Sequence, residues 1–365
     1  MKDFLIKDEW KIIESGYKDQ HNKISESICS IGNGHMGQRA TFEEDFSGPT
    51  LQGSYLGGVY YPDKTKVGWW KNGYPEYFAK VLNSVNWIGI KIELEDEVVD
   101  IHKALEIQYF RRELDMKKGV LTREVKFLSE KGRPMTIRSE RFISMAEKEL
   151  GAMDYRFSIE GYKGKLVVHS YLDFDVTNQD SNYDENFWKP RKETFSDDGL
   201  VSVSAITKIT NFTCVVHMSD NLEHTGMSGE PECIKESKEK YAAHIYTLDM
   251  SDTRGGFSLT KLVNLSTSRN HSTENIDNHS YSKTLEYKKI GYEKLLSDHI
   301  AAWSKKWDEA DIVISGDVSA QQGIRFNIFH LNQTYSGEDD RLNIGPKGFT
   351  GEKYGGSTYL SLIHI

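Results

Sequence analysis

The chain has 365 residues with 46 basic and 55 acidic side chains, so its net charge is −9. This length allows two domains, and the acidic balance argues against nucleic acid or an anionic membrane surface as a partner. Three scattered cysteines are too few for a disulfide framework, and the charged N-terminus does not fit a signal peptide. The sequence has no run of about 18 apolar residues, which excludes a membrane span. These features favour a cytoplasmic protein.

Up to about residue 275 the dominant hydrophobic period is two. Apolar and polar residues alternate over 88–94, 153–159, 166–176, 201–205 and 212–218. Turn-forming residues separate these segments, as at 118–119, 131–134 and 161–164. Many short strands without intervening helices of ten or more residues predict a mostly β fold, a large antiparallel β-sandwich.

The segment 32–37, GNGHMG, has the letters of the dinucleotide-binding fingerprint. No amphipathic helix follows it and no βαβ unit surrounds it, so nucleotide binding is not expected. We interpret it as a tight turn between strands, in which a glycine adopts a positive φ.

Two further segments have a functional and a structural interpretation. Asp173 begins a calcium-loop pattern, but Asn178 stands where glycine is required and Asp184 where glutamate is usual, so a strand edge is favoured over a metal site. Residues 51–87 are rich in aromatic side chains that could stack on sugar rings or pack in a core or subunit interface, and packing is favoured. These aromatic residues are Tyr55, Tyr60, Tyr61, Trp69, Trp70, Tyr74, Tyr77, Phe78 and Trp87.

A polar stretch without periodicity, 265–282, is the best candidate for a linker. It precedes an amphipathic helix predicted over 287–309, followed by an extended link at 312–314. The residues predicted to form the apolar face of that helix are Leu296, Ile300, Trp303 and Trp307.

A last helix is predicted from a capping box formed by Ser319 and Gln322. Its apolar face is predicted to consist of Ile324, Ile328, Leu331 and Tyr335. The periodicity stops after Gly337, and residues 345–356 contain five glycines and Pro346. This glycine-rich loop could bind an anion, form a wall of a binding pocket, or serve only as a structural connection.

The twelve histidines show no ligand spacing on a convincing helix, and His299 and His330 stand alone. We expect them to be surface or packing residues, and we expect no metal site. No G-x-S-x-G or Ser-His-Asp arrangement supports acyl-transfer chemistry.

Several motifs together resemble one family. SIGNGHMGQRA at 30–40, HLNQTY at 330–335 and RLNIGPKGFTGEKYGG at 341–356 are similar to the maltose phosphorylases and their relatives, the disaccharide phosphorylases of glycoside hydrolase family 65. The resemblance extends over almost the whole chain and stops at Leu360. There the family would continue with Trp-Asp-Thr-Glu and several hundred further residues, so we expect a truncation or a frameshift.

The resemblance implies three parts: an N-terminal β-sandwich domain at 1–275, a helical linker at 276–316, and the first helix of a truncated catalytic (α/α)6 barrel at 317–365. The parent enzyme would convert maltose, or a related α-linked disaccharide, and inorganic phosphate into β-glucose 1-phosphate and glucose with inversion. It would need no cofactor and would form a homodimer.

In the family the general acid and the phosphate site lie in the barrel, so the resemblance assigns no catalytic residue to this chain, neither Glu338 nor Glu352. We therefore expect the polypeptide alone to be inactive, and the helix around Ile328 to show an unburied apolar side. The glycine-rich loop is expected to form a wall of the substrate pocket. Its proposed substrate-binding residues are Lys347, Gly348, Phe349, Tyr354 and Tyr359. Two alternatives stay open: a carbohydrate-binding module and a dimerisation module without catalytic function.

Overall fold

The computed structural model describes residues 4–64, 76–179, 186–342, 345 and 347–352. The first half of these residues contains strands β1 Leu5–Ile6, β2 Lys11–Ser15, β3 Ile31–Gly32, β4 Met36–Gln38, β5 Ser54–Leu56, β6 Tyr60–Lys64, β7 Tyr77–Val81, β8 Ile90–Leu94, β9 Glu106–Asp115, β10 Val120–Leu128, β11 Pro134–Ile143, β12 Leu150–Glu160 and β13 Gly164–Asp173, and helix α1 Asp19–Ile28. The second half contains β14 Trp188–Phe195, β15 Leu200–Thr207, β16 Thr213–Thr225, β17 Met227–Lys238, β18 Tyr241–Met250 and β19 Arg254–Thr267, then α2 Ile276–Ile290, α3 Tyr292–Ala310 and α4 Val318–Thr334.

Two large antiparallel sheets form the body of the protein. Ten strands make one sheet in the order β1-β2-β9-β10-β11-β12-β19-β16-β15-β14, and β17-β18-β13-β8 make the other. Side chains of both sheets belong to a single buried core, so the sheets pack face to face. The mostly β, antiparallel fold predicted from the alternating pattern is therefore confirmed. Two small sheets, β3-β4-β5 and β6-β7, lie beside it.

The alternation in β12 shows how the sequence produces this packing. Met153, Tyr155, Phe157 and Ile159 are buried in the core between the sheets, whereas Arg156 between them is exposed. Neighbouring residues of a strand point to opposite faces, so a period of two places one set in the core. Burial of each such side chain stabilises the fold by roughly 1.5–3 kcal/mol.

Part of the ten-stranded sheet is covered on its other face by α2 and α3. Phe142 and Leu150 from the sheet pack with Tyr287, Tyr292 and Leu295 from the helices in a second buried cluster. This cover explains why the first residues of β12 are buried without alternation.

The predicted linker at 265–282 is wrong. Leu265–Thr267 is the end of β19, paired with β16, and residues from Ile276 onward are helical. Its polar side chains misled the prediction because they find partners within the fold: Ser266 donates a hydrogen bond to Glu149, and the hydroxyl of Ser280 lies 2.9 Å from Nδ1 of His217.

The helix predicted over 287–309 is in fact two helices. Gly291 interrupts the chain with a φ of +83°, a conformation that favours glycine, so α2 ends at Ile290 and α3 begins at Tyr292. Trp303 and Trp307 are buried as predicted. Leu296 and Ile300 are only half-buried, because the helix turns His299 towards the sheet instead.

Helix α4 differs from its prediction in both its cap and its buried face. The cap is Asp317, whose carboxylate accepts from the backbone N–H groups of Ser319 and Ala320, so the predicted capping box is wrong. Gln322 instead donates to the carbonyl of Lys11 at 2.7 Å. The buried residues are Gln321, Arg325, Phe329 and Gln333.

The predicted apolar face of α4 lies at the edge of the core and not in it: Ile328 is half-buried and packs against the core, whereas Leu331 is 59% exposed. The reason is that the surface under α4 is polar and aromatic: Arg325 forms an ion pair with Asp311 at 2.8 Å and stacks on Trp10. None of the helices in the described ranges is long and apolar enough to cross a membrane.

Candidate functional site

A cleft of about 670 Å³ opens where four segments meet: the β3–β4 turn, the loop before β12, the start of α2, and the chain after α4. The residues that line it are Asn33, Gly34, His35, Ala146, Glu147, Lys148, Glu149, Asn270, His271, His279, Lys283, Tyr287, Ser336, Glu338, Asp339, Asp340, Arg341 and Leu342. Polar and charged side chains dominate this surface, so its chemistry suits a polar or charged ligand.

The GNG turn forms one wall of the cleft. Asn33 organises it: its side-chain carbonyl accepts from the N–H groups of His35 and Met36, and its amide donates to the carbonyls of Ser144 and Lys148. Gly34 has a φ of +82°. The segment predicted to be a tight turn is therefore one, and it holds His35 against the loop before β12.

Glu149 lies at the centre of the cleft wall. One carboxylate oxygen is 2.7 Å from Nε2 of His271, and the other is 3.2 Å from Nε2 of His279. Ser266 donates to that second oxygen at 2.7 Å. The rings of His271 and His279 stack with centroids 3.8 Å apart, and Nε2 of His35 lies 3.9 Å from Glu149. These three histidines and Glu149 are called the His–Glu cluster below.

The electrostatics of the cluster follow from these contacts. Burial alone would raise the pKa of Glu149, but the hydrogen bond from Ser266 and the neighbouring His271 outweigh it and hold the pKa below its ordinary value. Burial lowers the pKa of His35, against the opposing effect of Glu149. At neutral pH we therefore expect an ionised carboxylate beside a neutral imidazole.

The rim of the cleft carries ion pairs. Arg269 donates to Asp339 at 3.1 Å, and Arg341 donates to the same carboxylate at 2.7 Å and to the carbonyl of Arg269. Lys148 pairs with Glu338 at 2.7 Å. Hydrogen bonding from Arg341 holds the pKa of Asp339 below its usual range, and Lys148 has the same effect on Glu338.

The loop residues predicted to bind substrate lie near this cleft but do not line it where the structure describes them. Phe349 is buried against the β3–β4 hairpin, so close to Gly37 that a Cβ there would lie 2.2 Å from its side chain. Gly348 contacts Thr334, and Lys347 is exposed. Tyr354 and Tyr359 lie outside the described residues.

The aromatic segment behaves as the packing interpretation expects over the part that the structure covers. Tyr55, Tyr61 and Trp87 are buried in the core, while Tyr77 is 52% exposed. Trp69, Trp70 and Tyr74 fall in the range 65–75, outside the described residues, as do the side chain of Phe78 and position 184 of the calcium-like pattern.

The His–Glu cluster is the feature that sequence reasoning missed. His299 and His330 are packing residues, as expected, since His299 bridges the N–H of Met145 and the carbonyl of Gly119. His35, His271 and His279, by contrast, are brought together from distant segments. No local spacing in the sequence predicts this cluster, because it depends on the pairing of β12 with β19, which places residue 149 beside residue 265.

Comparison with known proteins gives a consistent result. A family model described as glycosyl hydrolase family 65, N-terminal domain, matches residues 12–306, and the model of the central catalytic domain of the same family matches residues 325–361. Maltose phosphorylase of Bacillus subtilis is 41% identical over 356 residues, which is 96% of this chain and 45% of that protein.

Two further relatives agree. The α,α-trehalose phosphorylase of Thermoanaerobacter brockii is 29% identical over 96% of this chain and 46% of its own length. A solved structure described as a putative kojibiose phosphorylase from the human microbiome superposes with a TM-score of 0.84 at 27% identity, covering 97% of this chain and 45% of that one. The chain thus spans a little under half the length of these relatives.

Proposed function

Because the chain belongs to glycosyl hydrolase family 65, we propose that it is the N-terminal part of an inverting α-glucoside phosphorylase that converts maltose and phosphate into β-glucose 1-phosphate and glucose. The observation that carries this proposal is the maltose phosphorylase match along 96% of the chain. Such an enzyme needs one carboxylic acid to protonate the glycosidic oxygen, while phosphate attacks the anomeric carbon from the opposite face.

We further propose that this polypeptide by itself does not catalyse the reaction. The catalytic-domain model matches only residues 325–361, against 12–306 for the N-terminal domain. A general acid needs a raised pKa, yet Glu149, Glu338 and Asp339 in the cleft all have lowered pKa values. Ionised carboxylates accept hydrogen bonds and bind cations, but they have no proton to donate to a leaving oxygen.

Incubation of the purified polypeptide with maltose and inorganic phosphate tests this directly. We expect no glucose 1-phosphate above the level of a protein-free control. Turnover proportional to protein concentration would overturn the proposal of inactivity.

The positive part of the proposal needs an experiment in which activity can appear. The chain up to residue 359 can replace the matching N-terminal region of the Bacillus subtilis maltose phosphorylase. We expect the chimera to phosphorolyse maltose, whereas the remaining region of that enzyme expressed alone should be inactive. A folded chimera without activity would contradict the proposed origin.

In the same chimera the glycine-rich loop can be tested as a wall of the substrate pocket. The proposed contacts are Lys347, Gly348, Phe349, Tyr354 and Tyr359. Phe349 and the carbonyl of Thr350, which accepts from Arg39, anchor the loop and leave Lys347 exposed. Lys347→Met should therefore raise KM for maltose or phosphate, and unchanged constants would favour a purely structural connection.

The alternative function is a non-catalytic β-sandwich module that binds carbohydrate or mediates dimerisation. The polar cleft is the observation that favours it. Calorimetry with maltose, trehalose and kojibiose separates the possibilities, because a binding module gives a saturable heat and a scaffold gives none. We also propose that the protein is cytoplasmic and forms a homodimer, and light scattering without ligand tests the dimer.

A further inference from the structure

We propose that Glu149, His271 and His279 bind a divalent transition-metal ion, best matched by Zn²⁺, and that His35 supplies the fourth ligand. This inference goes beyond the proposed function, since neither phosphorolysis nor a scaffold role requires a metal. It can also be tested without any activity assay, so its failure and that of the proposed function are distinguishable.

The donor atoms already converge. The ligand atoms of Glu149, His271 and His279 all lie within 4.8 Å of one another, with carboxylate-to-imidazole distances of 2.7 and 3.2 Å. Zinc binds nitrogen and oxygen donors at about 2.0–2.2 Å, so a tetrahedral site separates its ligand atoms by roughly 3.3–3.6 Å. Small side-chain rotations would reach this spacing, because it lies between the 2.7 Å contact with His271 and the 3.9 Å separation of His35 Nε2 from Glu149.

His35 provides the independent observation. Only 7% of this residue is exposed, and its Nε2 has no hydrogen-bond partner among the described residues. That atom faces the other members of the cluster and lies 3.9 Å from Oε1 of Glu149. A buried polar atom without a partner costs free energy, and a metal ion held by Glu149 would satisfy it.

The surroundings of Glu149 resemble those of a metal ligand. Ser266 donates to its carboxylate at 2.7 Å and Asn264 lies at 3.5 Å, while the N–H of Leu265 donates to its backbone carbonyl. Such outer-shell hydrogen bonds orient a ligating carboxylate. They leave the cluster with a carboxylate that is fixed in place.

The neighbouring cations do not compete for this carboxylate. Lys148 pairs with Glu338, and Arg269 pairs with Asp339. Lys283 pairs with Glu147 and Glu286 at 3.6 and 3.1 Å. The Glu149 carboxylate thus contacts the imidazoles of the cluster, which are a common type of metal ligand.

An ion can enter the site from the cleft. The side chains of His271 and His279 are 21% and 33% exposed, so one side of the cluster faces solvent. Three imidazoles and one carboxylate favour zinc, copper, nickel or cobalt over magnesium or calcium, which prefer oxygen ligands.

A metal at this position would have a structural effect. Its ligands come from the β3–β4 turn, the residue before β12, the connection after β19, and α2. A four-coordinate closed site is typical of structural zinc. It would therefore fasten α2 to the sandwich beside the cleft.

The test uses the full chain freed of metal with EDTA and titrated with ZnCl2 by calorimetry. We expect one saturable equivalent at the cluster and a higher Tm with zinc than with EDTA, and a smaller Tm rise with MgCl2. Cobalt bound to the same site should show visible d–d absorption, and this absorption should disappear when zinc replaces the cobalt.

Variants locate the site. His271→Ala and His279→Ala should each weaken zinc binding by more than the roughly 10–100-fold that outer-shell changes typically cost, and Ser266→Ala should fall within that range. Both histidines are partly exposed, so circular dichroism in EDTA should show a folded protein. His169→Ala is the matched control, because His169 contacts Glu93 at 3.2 Å but is not part of the cluster.

Two outcomes would overturn the proposal: the absence of saturable zinc binding by the wild-type chain, or equal affinity in wild type, His271→Ala and His279→Ala. His35→Gln tests the fourth ligand. Unchanged affinity in that variant would remove His35 from the site, and a clear loss would support a closed four-ligand site.

Discussion

Two groups of charged side chains lie beside the ten-stranded sheet, and they differ in their access to solvent. The first, called here the inner ion cluster, consists of Glu43, Glu44, Arg123 and Arg141. The second is the set of charged residues around the cleft, with the His–Glu cluster at its centre. Both contain glutamates, but the first cluster pairs them with arginines and the second with histidines, and the two also differ in geometry and access to solvent.

The inner ion cluster is closed. Arg123 donates to Glu43 and Glu44 at 2.6 Å, and Arg141 donates to Glu43 at 2.5 Å and to the carbonyls of Arg39 and Thr41. Each of these charged groups is removed from water, so the free energy of burying it must be offset by its ion-pair partners. Such a cluster holds the 39–44 segment on the sheet, and all four carboxylate oxygens of Glu43 and Glu44 accept hydrogen bonds within it.

The cleft is open by comparison. Lys148 and Glu338 pair with more than half of each side chain exposed, and the His–Glu cluster faces solvent on one side. Exposed pairs are screened and exchange partners at little cost. The comparison teaches that glutamates whose oxygens all accept from arginines serve stability, whereas Glu149, although buried, remains accessible from the cleft beside the half-buried His271 and His279.

Acidification should have the largest effect, because it reaches both regions. Burial by itself would raise the pKa of Glu43, but Arg141 and Arg123 outweigh it and lower the pKa below the ordinary 4.5; the pKa of Glu149 is also lowered. A lowered pKa in the folded state contributes stability that is present above the ordinary value and lost as the pH falls below it. The urea midpoint should therefore fall as the pH drops below about 4.5. A midpoint that stays constant there would show that neither cluster contributes.

Breaking the inner ion cluster should have the next largest effect. Arg123→Met leaves Glu43 and Glu44 buried without their shared partner and should lower the free energy of unfolding by about 3–5 kcal/mol. Arg156→Met is the control, since Arg156 pairs with Asp154 at the surface and should cost about 0–1 kcal/mol. If urea denaturation gave equal losses of unfolding free energy for the two variants, buried and exposed ion pairs would contribute equally to stability and the prediction would be wrong.

Removing the charge at the centre of the cleft should cost less. Glu149→Gln weakens the hydrogen bonds with Ser266, His271 and His279, and we expect a loss of about 1–3 kcal/mol because charged acceptors form the stronger hydrogen bonds. Its neighbour is the matched control: Glu147→Gln should change stability by less than about 1 kcal/mol. A loss as large as that of Arg123→Met would mean that the cleft is as structurally essential as the inner cluster.

The rim should contribute least. Lys148→Met removes an exposed ion pair with Glu338 and should lower the free energy of unfolding by only about 0–1 kcal/mol. This loss should be smaller at high salt, because salt screens exposed charges. Thermal unfolding at low and high ionic strength measures both quantities. A salt-independent loss well above this range would assign the pair a structural role.

Local patterns predicted much of this fold. The alternation of Met153, Tyr155, Phe157 and Ile159 depends only on strand geometry, so it could be read without knowing the partner strands. The GNG turn was predictable because a tight turn needs a residue that tolerates positive φ, and Gly34 adopts one. The buried Trp303 and Trp307 followed from helical spacing.

Other features could not be predicted because they depend on what lies opposite. The face of α4 was assigned to Ile328 and Leu331, but the surface beneath it offers Asp311 and Trp10, which select Arg325. Likewise, Ser266 looked like part of a linker until pairing with β16 and the carboxylate of Glu149 gave its polar groups partners.

The amino-acid sequence alone determined the β character of this protein and its membership of a family. The first follows from short-range alternation of apolar residues, and the second from contiguous motifs. Only the folded chain decided which charged groups became buried pairs and which converged on the cleft. Residues 35, 149, 271 and 279 meet because antiparallel strands bring distant segments together, and the energy of a charge depends on the solvent and partners around it.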